Sequence, residues 1–381
     1  MEYHFCSEEA LIERLGEYVK METPSEDWAR INALFARMAE DLTALGARVS
    51  EVEGDGCQLL RADVGHGEKR LLLLGHVDTV FKVGDETKNP FREEEGRLRG
   101  PGVLDMKAGD VMIQELLRHF VFEEQRGKLE GFTITALFNG DEETGSHHSE
   151  RAIRELSREA MAVFVLEPSV PGKCTVARKG LAAYRIIARG ISAHSGVNYQ
   201  KGASAIEALS RVLAKIYDLR DDERNISINI GSLEAPGKNN IISDYAMARG
   251  EVRAFDPRFL TETLKEMERI CRENPVKGTS VTFERMGMRP AMAQTKEMKA
   301  LHTMAMQSAA VHGLKLEGRI HGGGSDGSFA AEEGAVVIDG MGAEGDGSHT
   351  LEEYVVKATL MPRLMTLCDV MMRIIRQNRI K

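Results

Sequence analysis

The sequence predicts an α/β protein: a mixed, mostly parallel sheet flanked by helices, with a smaller α+β sandwich inserted into it. Three observations predict this class. Short runs that are apolar throughout, Leu71 to Leu74, Phe132 to Phe138, Met161 to Leu166 and Val336 to Ile338, read as strands buried on both faces. Stretches of helical period lie between them, such as Asp110 to Phe122 and Ser149 to Arg158, giving the βαβ alternation of a layered fold. From about Arg178 the pattern changes to looser alternation in β-α-β-β-α-β order.

The chain opens with two helical stretches. Leu11, Leu15 and Val19 fall on one helical face, and Ile31, Leu34, Phe35 and Met38 on another. Thr23-Pro24-Ser25-Glu26-Asp27 breaks the two stretches and supplies a helix start, so Ser7 to about Gly46 reads as a helical hairpin over the sheet. The inserted segment reads as strand Leu181 to Arg189, helix Ala203 to Tyr217, strands Asn225 to Leu233 and Tyr245 to Phe255, helix Pro257 to Arg272 and strand Val281 to Arg285. The expected division is 1–177 for the first part of the main domain, 178–290 for the insert and 291–381 for the second part. A chain of 381 residues is long enough for two such domains.

Composition narrows the function classes. Hydrophobic residues at 42% and charged residues at 29% are ordinary for a globular protein with a large core. A net charge of -9 argues against a nucleic-acid partner, which wants a basic face. The five cysteines are odd in number and widely spaced, without a CxxC pair, so a reducing, cytoplasmic setting is expected rather than a disulfide framework. Met1-Glu2-Tyr3-His4-Phe5 offers no basic start to a signal peptide, and no apolar run reaches the roughly 18 to 20 residues of a membrane span.

The chemistry-bearing residues stand where the strands end. Leu71 to Leu74 runs into Gly75-His76-Val77-Asp78-Thr79, Phe132 to Phe138 into Asp141-Glu142-Glu143-Thr144-Gly145, and Met161 to Leu166 into Glu167-Pro168. Val336 to Ile338 leads through a glycine-rich loop to Asp346-Gly347-Ser348-His349. Ligands of open α/β sheets bind beyond the carboxyl ends of the strands, so these clusters are expected to meet in one crevice. Asp105, Glu142, Glu143 and Glu167 crowded together would repel one another without cations. Histidine with carboxylate suits zinc, and a shared carboxylate can bridge two ions. Asp78 can accept the second ring N–H of His76. Each cluster alone also has a plain reading: His76 as a structural histidine, Asp141-Glu142-Glu143 as a solvated acidic loop, and Gly100-Pro101-Gly102-Val103-Leu104-Asp105 as a tight turn with an N-cap aspartate. For Gly100 to Gly109 a nucleotide-binding reading fails, because neither GxGxxG spacing nor a Walker lysine is present; a nucleotide-binding α/β protein stays open only on the glycine loops. Gly322-Gly323-Gly324-Ser325-Asp326-Gly327 reads equally as a phosphate nest or as a backbone N–H site for a carboxylate.

Taken together the motifs resemble the dizinc metallopeptidases that include carboxypeptidase G-type glutamate carboxypeptidases, acetylornithine deacetylase and succinyl-diaminopimelate desuccinylase. The resemblance spans essentially the whole chain and is nearest to the glutamate carboxypeptidases. It implies a zinc-peptidase catalytic domain, an inserted lid and dimerisation domain, a homodimer, and two Zn2+ per chain with Co2+ or Mn2+ as substitutes. It implies that His76 in GHVDTV and Glu167 in LEP hold one metal, that Glu143 in DEETGS and His349 in DGSHT hold the other, and that Asp105 in GPGVLDMKAG bridges both. The peptide after that aspartate is cis in the family. Glu142 is then the general base, Asp78 supports His76, and His194 in ISAHSG stabilises the oxyanion. Asn240, Arg253 and Arg289, with Gly323 and Gly324, resemble the residues that hold the carboxylate end of a substrate. The implied reaction is hydrolysis of an amide next to a free carboxylate, by a metal-bridging water, in a small peptide or an N-acyl amino acid. Glutamate carboxypeptidase-like activity is the first expectation and N-acyl-amino-acid deacylation the alternative.

Overall fold

The computed structural model describes residues 2–273 and 276–380. The chain forms two compact units, one made of Met1–Ala177, Gln294–His321 and Ser325–Lys381, the other of Arg178–Ala293 and Gly322–Gly324.

The first unit is built on a six-stranded sheet in the order Arg48–Glu53, Gln58–Gly65, Phe132–Asn139, Lys69–His76, Ala160–Val165, Val337–Ile338. The last four strands run parallel and contain the four apolar runs read from the sequence. Every residue of Phe132–Asn139 is buried, as are Leu71 to His76. Strands covered on both faces need apolar side chains at every position, which is why these were legible. The first two strands form an antiparallel extension that the sequence does not announce. Arg48–Glu53 is an edge strand without a buried residue, and water-facing edges carry charge instead of an apolar run.

Helices cover the sheet. Ser7 Oγ accepts the Ala10 N–H at 3.3 Å and starts Glu8–Lys20. Asp27 Oδ1 does the same for Arg30 at the head of Trp28–Leu45, which ends in left-handed Gly46. Both apolar stripes, Leu11, Leu15, Val19 and Ile31, Leu34, Phe35, Met38, are buried. Ala108–Gln125 lies deeper, with Val111, Ile113, Leu116, Leu117 and Phe120 fully covered. Burial of each such side chain contributes about 1.5–3 kcal/mol. A small antiparallel sheet of Gly345–Asp346, Tyr354–Val356, Arg97–Arg99 and Arg92–Glu94 completes the unit.

The second unit is an antiparallel sheet in the order Ser227–Glu234, Tyr245–Ala254, Gly180–Arg189, Ser280–Arg289, with helices Ala205–Tyr217 and Pro257–Arg272. Ala182, Tyr184, Ile186 and Ala188 alternate into a core of its own with Ala208, Val212, Leu264 and Met267. That period of two comes from a sheet packed on one face only. No helix among the described residues is long and apolar enough to cross a membrane.

Candidate metal centre

Three neighbouring parallel strands deliver the first residues of the site. His76 closes Lys69–His76, opposite Asn139 in the register, and Asp141, Glu142 and Glu143 follow that residue after Gly140. Glu167 lies two residues beyond Val165, which pairs with Leu74. His349 arrives differently from the sequence expectation. It is carried not by the end of Val337–Ile338 but by the turn between Gly345–Asp346 and Tyr354–Val356 of the side sheet. Strands of two or three residues carry too short a pattern to be read from sequence. His349 has φ 67°, left-handed for a residue with a side chain. Asp105 sits in the loop opening Ala108–Gln125, and its peptide bond to Met106 is cis. Gly102 precedes it with φ 71°, where an added Cβ would stand 2.6 Å from Thr79 Cγ2. The Asp105 side chain caps nothing; the N-cap position of the helix belongs to Lys107.

These residues converge. Asp105 Oδ1 faces His76 Nε2 at 3.3 Å, and Asp105 Oδ2 faces His349 Nε2 at 3.5 Å. His76 Nε2 is 3.7 Å from Glu167 Oε1, and His349 Nε2 is 3.2 Å from Glu143 Oε2. Two sets, His76 with Glu142 and Glu167, and His76 with Asp105 and Glu143, each bring their donor atoms within 4.8 Å of one another. Glu142 thus stands among the candidate ligand atoms while its neighbour Glu143 turns toward His349.

The electrostatics are those of a cation site. Burial would raise the Asp105 carboxyl, yet the His349 and His76 imidazoles hold it below its usual range. Burial opposes charge on His76, but Asp105, Asp78 and Glu167 push its affinity for a proton well above the usual value. His349 is raised to about 10 by Asp105 and Glu143. Burial, with Asp105 and Glu142 nearby, raises Glu143 to about 7. Among the described residues, His76 Nε2 and Glu143 Oε1 are buried with no hydrogen-bond partner. A nitrogen and carboxylate donor set that draws protons this strongly fits divalent zinc-type ions, which replace those protons.

Surrounding groups fix the arrangement. Asp78 is fully buried; its Oδ1 accepts the Glu142 N–H at 3.1 Å and its Oδ2 the Glu143 N–H at 3.2 Å and the Ser25 hydroxyl at 2.8 Å. The His76 Nδ1 bond goes to the Asp78 backbone carbonyl at 3.0 Å, with the carboxylate at 3.4 Å. Asp78 therefore braces the acidic loop as much as the histidine. Asp326 accepts from Asn139 Nδ2 at 2.5 Å and from Ser146 Oγ, clasping both ends of the same loop.

The other candidates lie in the second unit. His194–Ala193 pairs with Ile241–Ile242, beside Asn240, whose carbonyl accepts the Ser195 N–H at 2.9 Å. The Gly196 and Val197 N–H groups both donate to His194 Nδ1, so the ring proton sits on Nε2. Arg253 and Arg289 flank Leu181 on opposite sides of the central strand. Arg253 is engaged within its own unit: Glu251 takes Nε and Nη2 at 2.8 and 2.9 Å, and the Gly322 carbonyl takes Nη1 at 2.7 Å. Arg289 is buried, with its Cδ where a Cβ on Gly324 would be 2.6 Å away. Arg178, absent from the sequence expectations, donates to the Gly323 and Gly324 carbonyls at 3.3 and 3.0 Å. These glycines offer carbonyl oxygens to arginine.

Comparison with known proteins places the chain. The family model for peptidase family M20/M25/M40 matches residues 72–376. Carboxypeptidase G2 of Pseudomonas sp. (strain RS-16) is 29% identical over 362 residues, covering 93% of this chain and 86% of the relative. Succinyl-diaminopimelate desuccinylase of Xanthomonas campestris pv. campestris (strain B100) is 26% identical over 344 residues, covering 85% of this chain and 89% of the relative. Among solved structures, a Staphylococcus aureus tripeptidase superposes with TM-score 0.79 at 22% identity, over 98% of this chain and all of its own (100%). A dinuclear metal-binding M20 peptidase of Bacillus subtilis gives TM-score 0.70 at 15% identity, over 97% and 99%. The chain belongs to the peptidase family M20/M25/M40 and is a hydrolase of that family.

Proposed function

We propose that the chain hydrolyses an amide bond next to a free carboxylate, in the manner of a glutamate carboxypeptidase, using two divalent metal ions. The observation that carries the metal reading is Asp105, whose two oxygens face two different imidazoles, the arrangement of a bridging ligand. His76 and Glu167 would hold one ion, and Glu143 and His349 the other. Four carboxylates, those of Asp105, Glu142, Glu143 and Glu167, gather at the site, enough charge to balance two dications. When bound, the ions, zinc in this reading, supply Lewis-acid charge and bring the pKa of a water toward neutrality.

The chain's own groups handle the proton. Glu142 takes it from the attacking water and returns it to the leaving amine. Asp78 aims Glu142 through the amide it accepts. His194 presents Nε2–H as the donor to the oxyanion, a type of contact commonly worth ~3 kcal/mol. Arg289 and Asn240 receive the substrate carboxylate; Arg253, held by Glu251, flanks the same strand as Arg289. The second unit acts as lid and dimerisation domain. The relative named carboxypeptidase G2, at 29% identity, supports a carboxypeptidase reaction.

Glu142→Gln tests the assignment. Both metals are expected to remain while turnover falls at least a thousandfold; a variant near the normal rate removes Glu142 as the base. A panel of peptidyl and folate-type glutamates beside N-acetyl amino acids tests the substrate. Faster turnover of the acetyl compounds would replace this reading with N-acyl-amino-acid deacylation.

A further inference from the structure

Glu353 gives no sign of its role in the sequence, yet it is fully buried beneath the loop that carries Asp105. Its Oε1 accepts the backbone N–H groups of Leu104 at 2.7 Å and Asp105 at 2.8 Å, and its Oε2 that of Gly102 at 3.0 Å. Among the described residues it forms no ion pair. Burial and the Asp105 charge raise its pKa to about 8 against these three amides, and an apolar side chain in the same space would leave all three N–H groups without an acceptor. Filling space therefore does not account for it.

The segment that brings Glu353 also brings His349. Between them the chain turns on itself: Thr350 N–H and Oγ donate to the Gly347 carbonyl at 3.0 and 2.8 Å, and the Glu353 N–H donates to the Thr350 carbonyl at 3.2 Å. One side chain thus ties the loop of Asp105 to the turn of His349, and those two residues face each other at 3.5 Å. His76 and Glu167 follow from main-sheet strands, and this tie reaches them only through Asp105, whose Oδ1 faces His76 Nε2 at 3.3 Å.

We infer that Glu353 is a positioning residue that holds Asp105 and His349 in register, so that its loss weakens the metal position they share with Glu143 more than the His76–Glu167 position, which it reaches through Asp105 alone. The inference rests on the metal-centre reading above. Three backbone amides donate to this one buried carboxyl group, an acceptor set that glutamine reproduces only in part, because one of its two terminal atoms donates instead of accepting.

The test titrates metal-stripped protein with Co2+, following the visible absorption and the equivalents bound, for the unaltered chain and for Glu353→Gln, Glu353→Asp and Glu353→Ala. The unaltered chain should take two equivalents; failure there overturns the metal-centre reading itself. Glu353→Gln should take the first equivalent within about threefold of the unaltered affinity and the second at least ten times more weakly, with an altered spectrum for that site. Excess metal should restore kcat with KM within about threefold, and Glu353→Asp should recover part of the loss. Two equivalents bound with unchanged affinity by Glu353→Gln would overturn the inference, as would parallel weakening of both. If Glu353→Ala does not fold, the isosteric glutamine and the shortened aspartate still decide the question. Loss of the fold in all three variants would make Glu353 a folding residue and also overturn it.

Discussion

Asp78→Asn isolates what the carboxylate beneath the acidic loop does. The substitution keeps shape and removes charge. In the native site the two oxygens receive the Glu142 and Glu143 amides at 3.1 and 3.2 Å and the Ser25 hydroxyl at 2.8 Å. Ser25 can reverse its hydroxyl to accept from an amide, but a backbone N–H cannot. Either orientation of the asparagine therefore leaves one N–H of the loop facing an NH2. Leaving a buried donor unsatisfied costs about 1–3 kcal/mol, and the surviving bond loses its charge assistance. A loss of about 2 kcal/mol in the aim of Glu142 corresponds to about a thirtyfold fall in kcat/KM. The assay is kcat/KM on the best substrate of the panel, with metal content measured on the same preparation. The expected result is a ten- to hundredfold loss with both metals retained. Activity within threefold of the unaltered enzyme at full metal content would refute the reasoning.

Three further outcomes are expected. Chelation should abolish activity and added Zn2+ restore it; it should also lower the melting temperature, since metal at a hundred times its Kd stabilises the native state by about 2.7 kcal/mol. A melting temperature indifferent to chelation would count against bound ions. Phe164→Ala empties a fully buried position in Ala160–Val165 and should cost about 3–5 kcal/mol, read as a fall of about 10 °C in the melting of the first unit. A fall below about 3 °C would show that the surrounding core closes the space. The Cys57 thiol is raised to about 11 from its ordinary 9.0 by burial and by the Asp141 and Asp55 carboxylates. A raised pKa makes the thiolate scarcer, so alkylation by iodoacetamide at pH 8 should run about a hundredfold slower than for an ordinary thiol and speed up tenfold per pH unit until about pH 11. A rate that levels off near pH 9 would contradict this.

How much was legible depended on whether a residue's role is written in its own neighbourhood. Leu71 to Leu74 and Phe132 to Phe138 announce themselves because both faces are covered. His76, Glu143 and Glu167 could then be found within a few residues of the ends of such runs. His349 was legible as a motif but not as a position, since the strands that deliver it are two and three residues long. Glu353 was invisible: in Leu351-Glu352-Glu353-Tyr354 it looks like surface, and its partners lie about 250 positions earlier. Arg253 shows the converse. Its type suited carboxylate capture, but Glu251, two residues away on the same strand, already occupies two of its nitrogens. A sequence gives residue type; which hydrogen bonds are already spoken for is decided by the fold.

The three glycines at 322–324 change what it means to speak of the second unit as an insertion. They group with that unit although residues on either side of them belong to the first. A recombinant fragment cut as 178–293 would contain Arg178 and Arg253 without the Gly322, Gly323 and Gly324 carbonyls to which they donate. Grafting that fragment onto another hydrolase would transplant the arginines and leave their acceptors behind. The unit is exchangeable only as two pieces of chain, and a recombination that swaps one piece must find a compatible tripeptide already waiting in the recipient.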